Sequence, residues 1–236
     1  MFKIKALYSL VFILSMLFVY FQLSGVDEVA NFTGSLVVPC ITVLYVISVR
    51  NKSSLLLMSL LAFSLSELIS FLNFKGFYEL EYYIGNALYI IAYLALTLEI
   101  VHHLNLKALL KYFKMHLLIL VILNIYANYF LINIVKNYVP EFDYSMELVY
   151  NIFTISLLTV SILNYFFRFD NKSLLLFLGA LFITLSEALQ IAYYYLLKSN
   201  NLKIVFSFLI FMAYYLFYLQ SNLKYDKVFM VSKEVY

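Results

Sequence analysis

The chain has 236 residues, of which 65% are hydrophobic and only 12% charged, with a formal net charge of +3 and a mean hydropathy of +0.92. A soluble domain carries roughly 25% charged residues, so this composition marks an integral membrane protein and excludes a cytosolic enzyme, a nucleic-acid binder and a disordered chain. The single cysteine, Cys40, excludes an intramolecular disulfide and any multi-cysteine metal site.

Apolar runs of about 20 residues alternate with short polar breaks, and at ~1.5 Å per residue each run crosses a ~30 Å hydrocarbon layer. They predict an all-α polytopic membrane protein of eight transmembrane helices in one membrane domain, 1–236. The spans fall at about 6–24, 31–49, 53–73, 82–101, 115–135, 146–167, 173–196 and 203–222. The first follows Lys3 and Lys5 as a signal peptide does, but its apolar run is longer than usual and no A-x-A-like site follows, which predicts an uncleaved helix. The third and seventh spans contain Glu67 and Glu187, and the fourth carries Glu99 near its end. Asn86, Asn124, Asn128, Asn151 and Asn164 add uncharged polar groups to the fourth, fifth and sixth.

Eight spans put the N-terminus, alternate loops and the C-terminal tail on one side, with twelve of the sixteen Lys and Arg residues. The other side has Lys75, Lys136, Lys198 and Lys203 and seven acids, among them Asp27, Asp143 and Glu147. The positive-inside rule then predicts two cytoplasmic termini in a multi-pass protein of the plasma or inner membrane.

The chain also matches itself at an offset of 120 residues. Asn51-Lys52-Ser53 recurs as Asn171-Lys172-Ser173, and Leu65-Ser66-Glu67 as Leu185-Ser186-Glu187; nine of seventeen positions between 51–67 and 171–187 are identical. Two parallel four-helix halves, about 1–110 and 111–236, are the expected organisation. Within it Ser59, Ser64, Glu67 and Ser70 share an arc of about 140° on the third span, and Gly179, Thr184, Glu187 and Gln190 share the same arc on the seventh.

A charged side chain in hydrocarbon costs at least ~2.5–3.5 kcal/mol on insertion scales, so such residues face a bundle interior or a hydrated cavity. Two at equivalent positions point to one shared site, in which one carboxyl delivers a proton and the other activates water. The same pair suits acid-assisted addition of water to an acetal-like or enol-ether bond and proton-coupled transport; it can also simply fix helix packing. Asn86 and Asn151 lie near the outer ends of their spans, within reach of such a cavity, and Tyr89, Tyr93, Tyr214 and Tyr215 can hydrogen-bond the carboxylates. Glu99 is expected to snorkel or to pair with Lys107 or Lys111, and His102, His103 and His116 lie at the cytoplasmic surface away from the glutamates. No GxGD, HExxH, G-x-S-x-G or P-loop is present, so intramembrane protease, zinc hydrolase, lipase and pump chemistries lack their residues.

These residues resemble the YhhN family of eight-span membrane proteins, which includes the lysoplasmalogenases. The similarity runs through Val38-Pro39-Cys40, Ser66-Glu67-Leu68-Ile69-Ser70, Tyr83-Ile84-Gly85-Asn86, Gly179-Ala180 to Ser186-Glu187-Ala188-Leu189, and Tyr214-Tyr215 to Gln220. The family's Lys before the Pro is missing, and Glu67 and Glu187 stand where the family has aspartates. The resemblance implies hydrolysis of the vinyl-ether bond of lysoplasmalogens, with Glu67 and Glu187 as the catalytic pair. Ser64, Ser70, Asn86, Tyr89, Tyr93, Asn151, Thr184, Gln190, Tyr214 and Tyr215 are the substrate-binding candidates. A membrane lipid or lysolipid is the expected partner, with no metal, cofactor, nucleic acid or soluble partner. A proton-coupled carrier and a non-catalytic membrane protein of the same fold are the other readings.

Overall fold

In the computed structural model, residues 2–72, 78–136, 138 and 141–225 are described. Lys75, Lys227 and Lys233, which enter the charge asymmetry, lie outside them. The described residues form α1 (Phe2–Leu23), α2 (Asp27–Ser35), α3 (Val37–Ser48), α4 (Ser54–Leu72), α5 (Tyr78–His102), α6 (Leu106–Val135), α7 (Glu141–Arg168), α8 (Asn171–Tyr195) and α9 (Asn200–Ser221). Eight stretches among them are long and apolar enough to cross a membrane, with α2 and α3 together making the second. Helix is the backbone solution for such runs, because in hydrocarbon every N–H and C=O must find its partner within the segment.

The ends have local causes. Gly25, at φ 74°, closes α1: the Val26 N–H reaches back to the Phe21 carbonyl at 3.0 Å, a turn that requires a left-handed residue. Pro39 has no N–H to offer the Ser35 carbonyl, so the second span breaks at Leu36 and Pro39 falls in the first turn of α3, where it is tolerated. Asp170 caps α8 by accepting from the Ser173 N–H at 2.7 Å. Asn105 caps α6 through the Ala108 N–H, placing the helix start well before the expected 115; the helix kinks at Phe113. The early turns carry Lys107 and Lys111, whose polarity hides this part of the helix from an apolar-run reading.

Six spans make a closed ring. The α4–α5 and α8–α9 hairpins pack most extensively, α5 packs on α7, α7 on α8, and α3 on both α4 and α9. The remaining two spans lie outside: α1 against α2, α3 and α9, and α6 against α7 and α8. Only 11% of the apolar window of α1 or α6 is buried, against 33–56% for the ring spans. Exposed Leu118, Ile122, Ile125 and Phe130 on α6 are what a lipid-facing helix presents.

Inside the ring, Tyr45, Tyr93, Tyr214, Phe63, Phe217 and Leu96 are fully buried. Close approach of α8 and α9 depends on Gly179, where an added Cβ would fall 2.6 Å from the Phe217 ring. The expected placement of Gly179 with the carboxylates is therefore corrected: it serves the α8–α9 contact. Asn124 bridges α6 to α7 through Thr159 at 2.7 Å, an interhelical bond of the kind anticipated for these asparagines.

Candidate functional site

Each helix around the cavity contributes residues at helical spacing. On α4 these are Phe63, Glu67, Ser70 and Phe71, and on α8 Glu187, Gln190, Ile191, Tyr194 and Tyr195. Lys203, Phe206, Ser207, Ile210 and Phe211 come from α9; Tyr82, Tyr83, Asn86 and Tyr89 from α5; Asp143, Glu147 and Tyr150 from α7; Asn31, Gly34 and Ser35 from α2. Intervals of three and four residues put each set on one helical face. The enclosed volume is about 760 Å³, within the ~300–1,000 Å³ of small-molecule sites.

These residues come from the latter part of α4 and α8, from the first part of α5, α7 and α9, and from α2, which is the first part of the second span, so the cavity occupies the half of the bundle opposite the termini. Glu67 and Glu187 both open on it. Glu67 is partly exposed to the cavity, whereas Glu187 is 6% exposed. The Tyr89 hydroxyl donates to Glu67 Oε1 at 3.1 Å, and the Tyr93 hydroxyl donates to Glu187 Oε1 at 2.5 Å. Tyr150 lies 3.4 Å from the Tyr93 oxygen. Either hydroxyl can donate in that contact.

Glu67 and Glu187 line one cavity, and Ser70, Asn86, Tyr89 and Gln190 line it with them. Tyr93 sits immediately behind Glu187. Other candidates are directed elsewhere. Ser64 bonds Thr42 Oγ1 of α3 at 2.8 Å, and the Thr184 hydroxyl donates to the Ala180 carbonyl of its own helix at 3.0 Å. Tyr214 packs on Phe63 with ring centroids 4.3 Å apart, behind the cavity wall, and Asn151 is buried outside the lining. Tyr215 contacts Tyr8 and Tyr218 toward the opposite end. An arc of 140° is wider than the face a helix can show to one cavity once its neighbours are packed on both sides.

Several site residues carry no mid-span signal. Asp143 and Glu147 read as loop charges, yet one accepts from Tyr83 at 2.7 Å and the other from Tyr82 at 3.1 Å, tying α7 to α5 at the cavity mouth. Lys198 and Lys203 also reach the lining. Spacing is the available clue for the acids, since Asp143 and Glu147 share a face with Tyr150; Lys198 lies beyond the end of α8, where helical periodicity gives no such clue.

Glu99 belongs to a separate cluster at the other end of the ring. It accepts from the Ser53 hydroxyl and pairs with His103 Nε2 at 3.6 Å, not with Lys107 or Lys111 as expected. The i,i+4 spacing of Glu99 and His103 on one helical turn brings them together before a loop lysine can reach. Among the described residues, no three His, Cys, Asp or Glu side chains converge to hold a metal ion.

In comparisons with known proteins, no protein-family model matches the chain, and neither a curated protein nor a solved structure matches it.

Proposed function

We propose that this protein is a YhhN-like membrane hydrolase acting on the vinyl-ether bond of a lysoplasmalogen-type lysolipid, with Glu67 and Glu187 as the acid–base pair. The observation that carries the proposal is that both glutamates, alone among acids deep in the spans, open on one cavity with tyrosines holding them. Intramembrane carboxylates are costly to insert, and a pair directed into a shared cavity is a functional arrangement.

The chemistry needs no more than such a pair. One carboxylic acid gives a proton to the vinyl carbon remote from oxygen, leaving an oxocarbenium ion at the carbon bonded to oxygen. The other carboxylate takes a proton from water as that water adds to the cation. The resulting hemiacetal collapses, with a proton returned to the departing oxygen, to a fatty aldehyde and a glycerophospho-alcohol. One water is consumed and no oxidant is required. Glutamate at both positions lengthens both side chains by a methylene relative to the family's aspartates; a paired change keeps the two groups matched to each other where a single one would displace them.

Two further readings belong with this one. Part of the neighbour pattern supports two four-helix halves: packing of spans 1–2, 2–3 and 3–4 recurs as 5–6, 6–7 and 7–8, and the contact of span 4 with span 6 recurs as that of 8 with 2, whereas span 1 packs on 8 and span 5 on 7 without such a counterpart. The charge asymmetry supports cytoplasmic termini in a plasma or inner membrane, which puts the cavity mouth on the far side.

The test is release of long-chain aldehyde from a vinyl-ether lysolipid by purified protein. Glu67→Gln and Glu187→Gln should each lower the rate by at least ~100-fold, the usual contribution of a general acid or base. Full activity in either variant overturns the assignment, and absence of aldehyde from folded protein overturns the reaction. A proton-coupled carrier would instead give proteoliposome flux that follows a pH gradient. The packed layer of Tyr45, Leu96 and Phe217 beneath the cavity favours the enzyme, which needs access from one side only.

A further inference from the structure

The α5–α7 side of the cavity carries Asp143, Glu147, Tyr82 and Tyr83, whereas on the α2–α9 side Phe206, Ile210, Phe211 and Gly34 supply an apolar strip among Asn31, Ser35, Lys203 and Ser207. The two sides also differ in how the ring is closed. Between α5 and α7, direct contacts close the seam: Tyr83 to Asp143, Tyr82 to Glu147, and Tyr93 against Tyr150.

Between α2 and α9 the closure is indirect. Toward the termini α3 packs on α9, but in the cavity half α2 and α9 form no extended helix pair. What fills the gap comes from the peripheral helix α1. The Phe18 ring is 3% exposed, lies edge-on to Phe211 at 5.6 Å and rests on the backbone of Gly34, where an added Cβ would meet it at 3.0 Å. Among the described residues, Phe18 is the one from α1 in the cavity wall. Above it, Gln22 of α1 donates to Asp27 Oδ1 at 2.8 Å and to Asn200 Oδ1 at 3.4 Å, and Lys203 pairs with Asp27 at 3.6 Å. The seam is therefore bounded by a polar clasp at the mouth and by α3–α9 packing below, and between the cavity and the lipid-facing side it is covered by Phe18 and the peripheral helix that carries it.

We propose that the α2–α9 seam is a lateral portal for the alkyl chain of a single-chain lipid, with Phe18 as its plug and Gly34, Phe206, Ile210 and Phe211 walling the chain subsite. The polar head then lies toward α5 and α7, and the bond between head and chain lies near Glu67 and Glu187. At the level of Phe18, Ile210 and Phe211 a chain in this seam meets mainly apolar side chains, whereas entry through the mouth would draw it past Asp143, Glu147 and Lys203. Helix α1 suits a moving plug because little of its surface is buried against the ring. The choice of ligand class rests on the proposed lysolipid function; the location of the portal does not.

The experiment uses the full chain in nanodiscs and a lysolipid with an uncleavable alkyl-ether chain bearing a terminal diazirine. After irradiation, mass spectrometry should find labelling that an unlabelled single-chain lipid competes away, on the segments around Phe18, Gly34 and Phe211. Phe18→Ala should label several-fold faster and Phe18→Trp several-fold slower. Labelling confined to α5 and α7, or no competable labelling, overturns the portal, as do equal rates in both variants when each retains the wild-type melting profile. Because Phe18→Ala removes a buried ring, Phe18→Leu is the milder variant on which the rate comparison stands if the alanine form does not fold. Seam labelling without aldehyde release from a vinyl-ether lysolipid overturns the hydrolase alone, whereas aldehyde release with labelling elsewhere overturns the portal alone.

Discussion

Tyr93 shows what a buried phenol contributes to a carboxylate. Its hydroxyl is the 2.5 Å donor that fixes the Glu187 rotamer, and it does not itself line the cavity. In the proposed hydrolysis Tyr93 is a positioning residue, so Tyr93→Phe should lower kcat by about 10- to 100-fold with KM little changed, as follows from one charge-assisted hydrogen bond of about 1.5–3 kcal/mol. A matching rise in KM instead would point to substrate contact. The cluster at the opposite end is sensitive to a different proton. Burial holds the His103 pKa below its usual 6.5 against the pull of Glu99, and the positive charges of His102, Lys172 and Arg168 add to the lowering. A depressed folded-state value means that neutral His103 contributes stability above pH 6.5 that is lost as the pH falls through the lower value. The melting temperature should therefore drop on acidification below pH 6.5, and His103→Gln should flatten that drop; identical acid profiles would refute it. Beside it, Tyr225 is flanked by the Arg168 guanidinium at 4.0 Å and the Lys172 ammonium at 4.4 Å, and burial raises its phenol to about 12. It therefore meets these cations as a neutral ring.

At the level of helices, the spans were legible because length and hydropathy are local properties, and seven of the eight begin within a few residues of their apolar runs. Helix α6 is the exception, since its lysine-bearing first turns are helical through their Asn105 cap and not through their hydrophobicity. The periodicity of polar residues was less informative. Glu67 and Ser64 share an arc, but α3 packs over Ser64 and takes its hydroxyl, and only the part of the arc left uncovered reaches the cavity. Gly179 gives the same lesson on α8. It holds the polar-side position of a repeat, yet its missing side chain admits Phe217. Gly179→Ala should destabilise the protein by about 1–3 kcal/mol, the usual cost of overpacking. Phe217→Leu in the same chain should recover part of the loss, and additive losses in the double variant would show that the two residues do not share the contact.

For the whole molecule, the ring of six spans with two outriders places every cavity-lining helix end on the side away from the termini. That arrangement predicts opposite labelling of two loops. In a Cys40→Ser background, a membrane-impermeant maleimide should reach Ser199→Cys in intact cells and Asn105→Cys only after permeabilisation; the reverse pattern would invert the orientation. Within the sequence alone lay the membrane-spanning character, the number of spans, the direction of the charge bias and the matching sequence contexts of Glu67 and Glu187, because each follows from composition, run length or self-similarity along the chain. Only the tertiary structure decided which polar groups meet. It placed Asp143 and Glu147 with the tyrosines of α5, sent Ser64, Thr184 and Tyr215 elsewhere, and set Phe18 of a peripheral helix into the cavity wall. The physical reason is that hydrophobicity fixes a helix along the membrane normal, whereas its rotation and neighbours depend on close packing between side chains far apart in sequence.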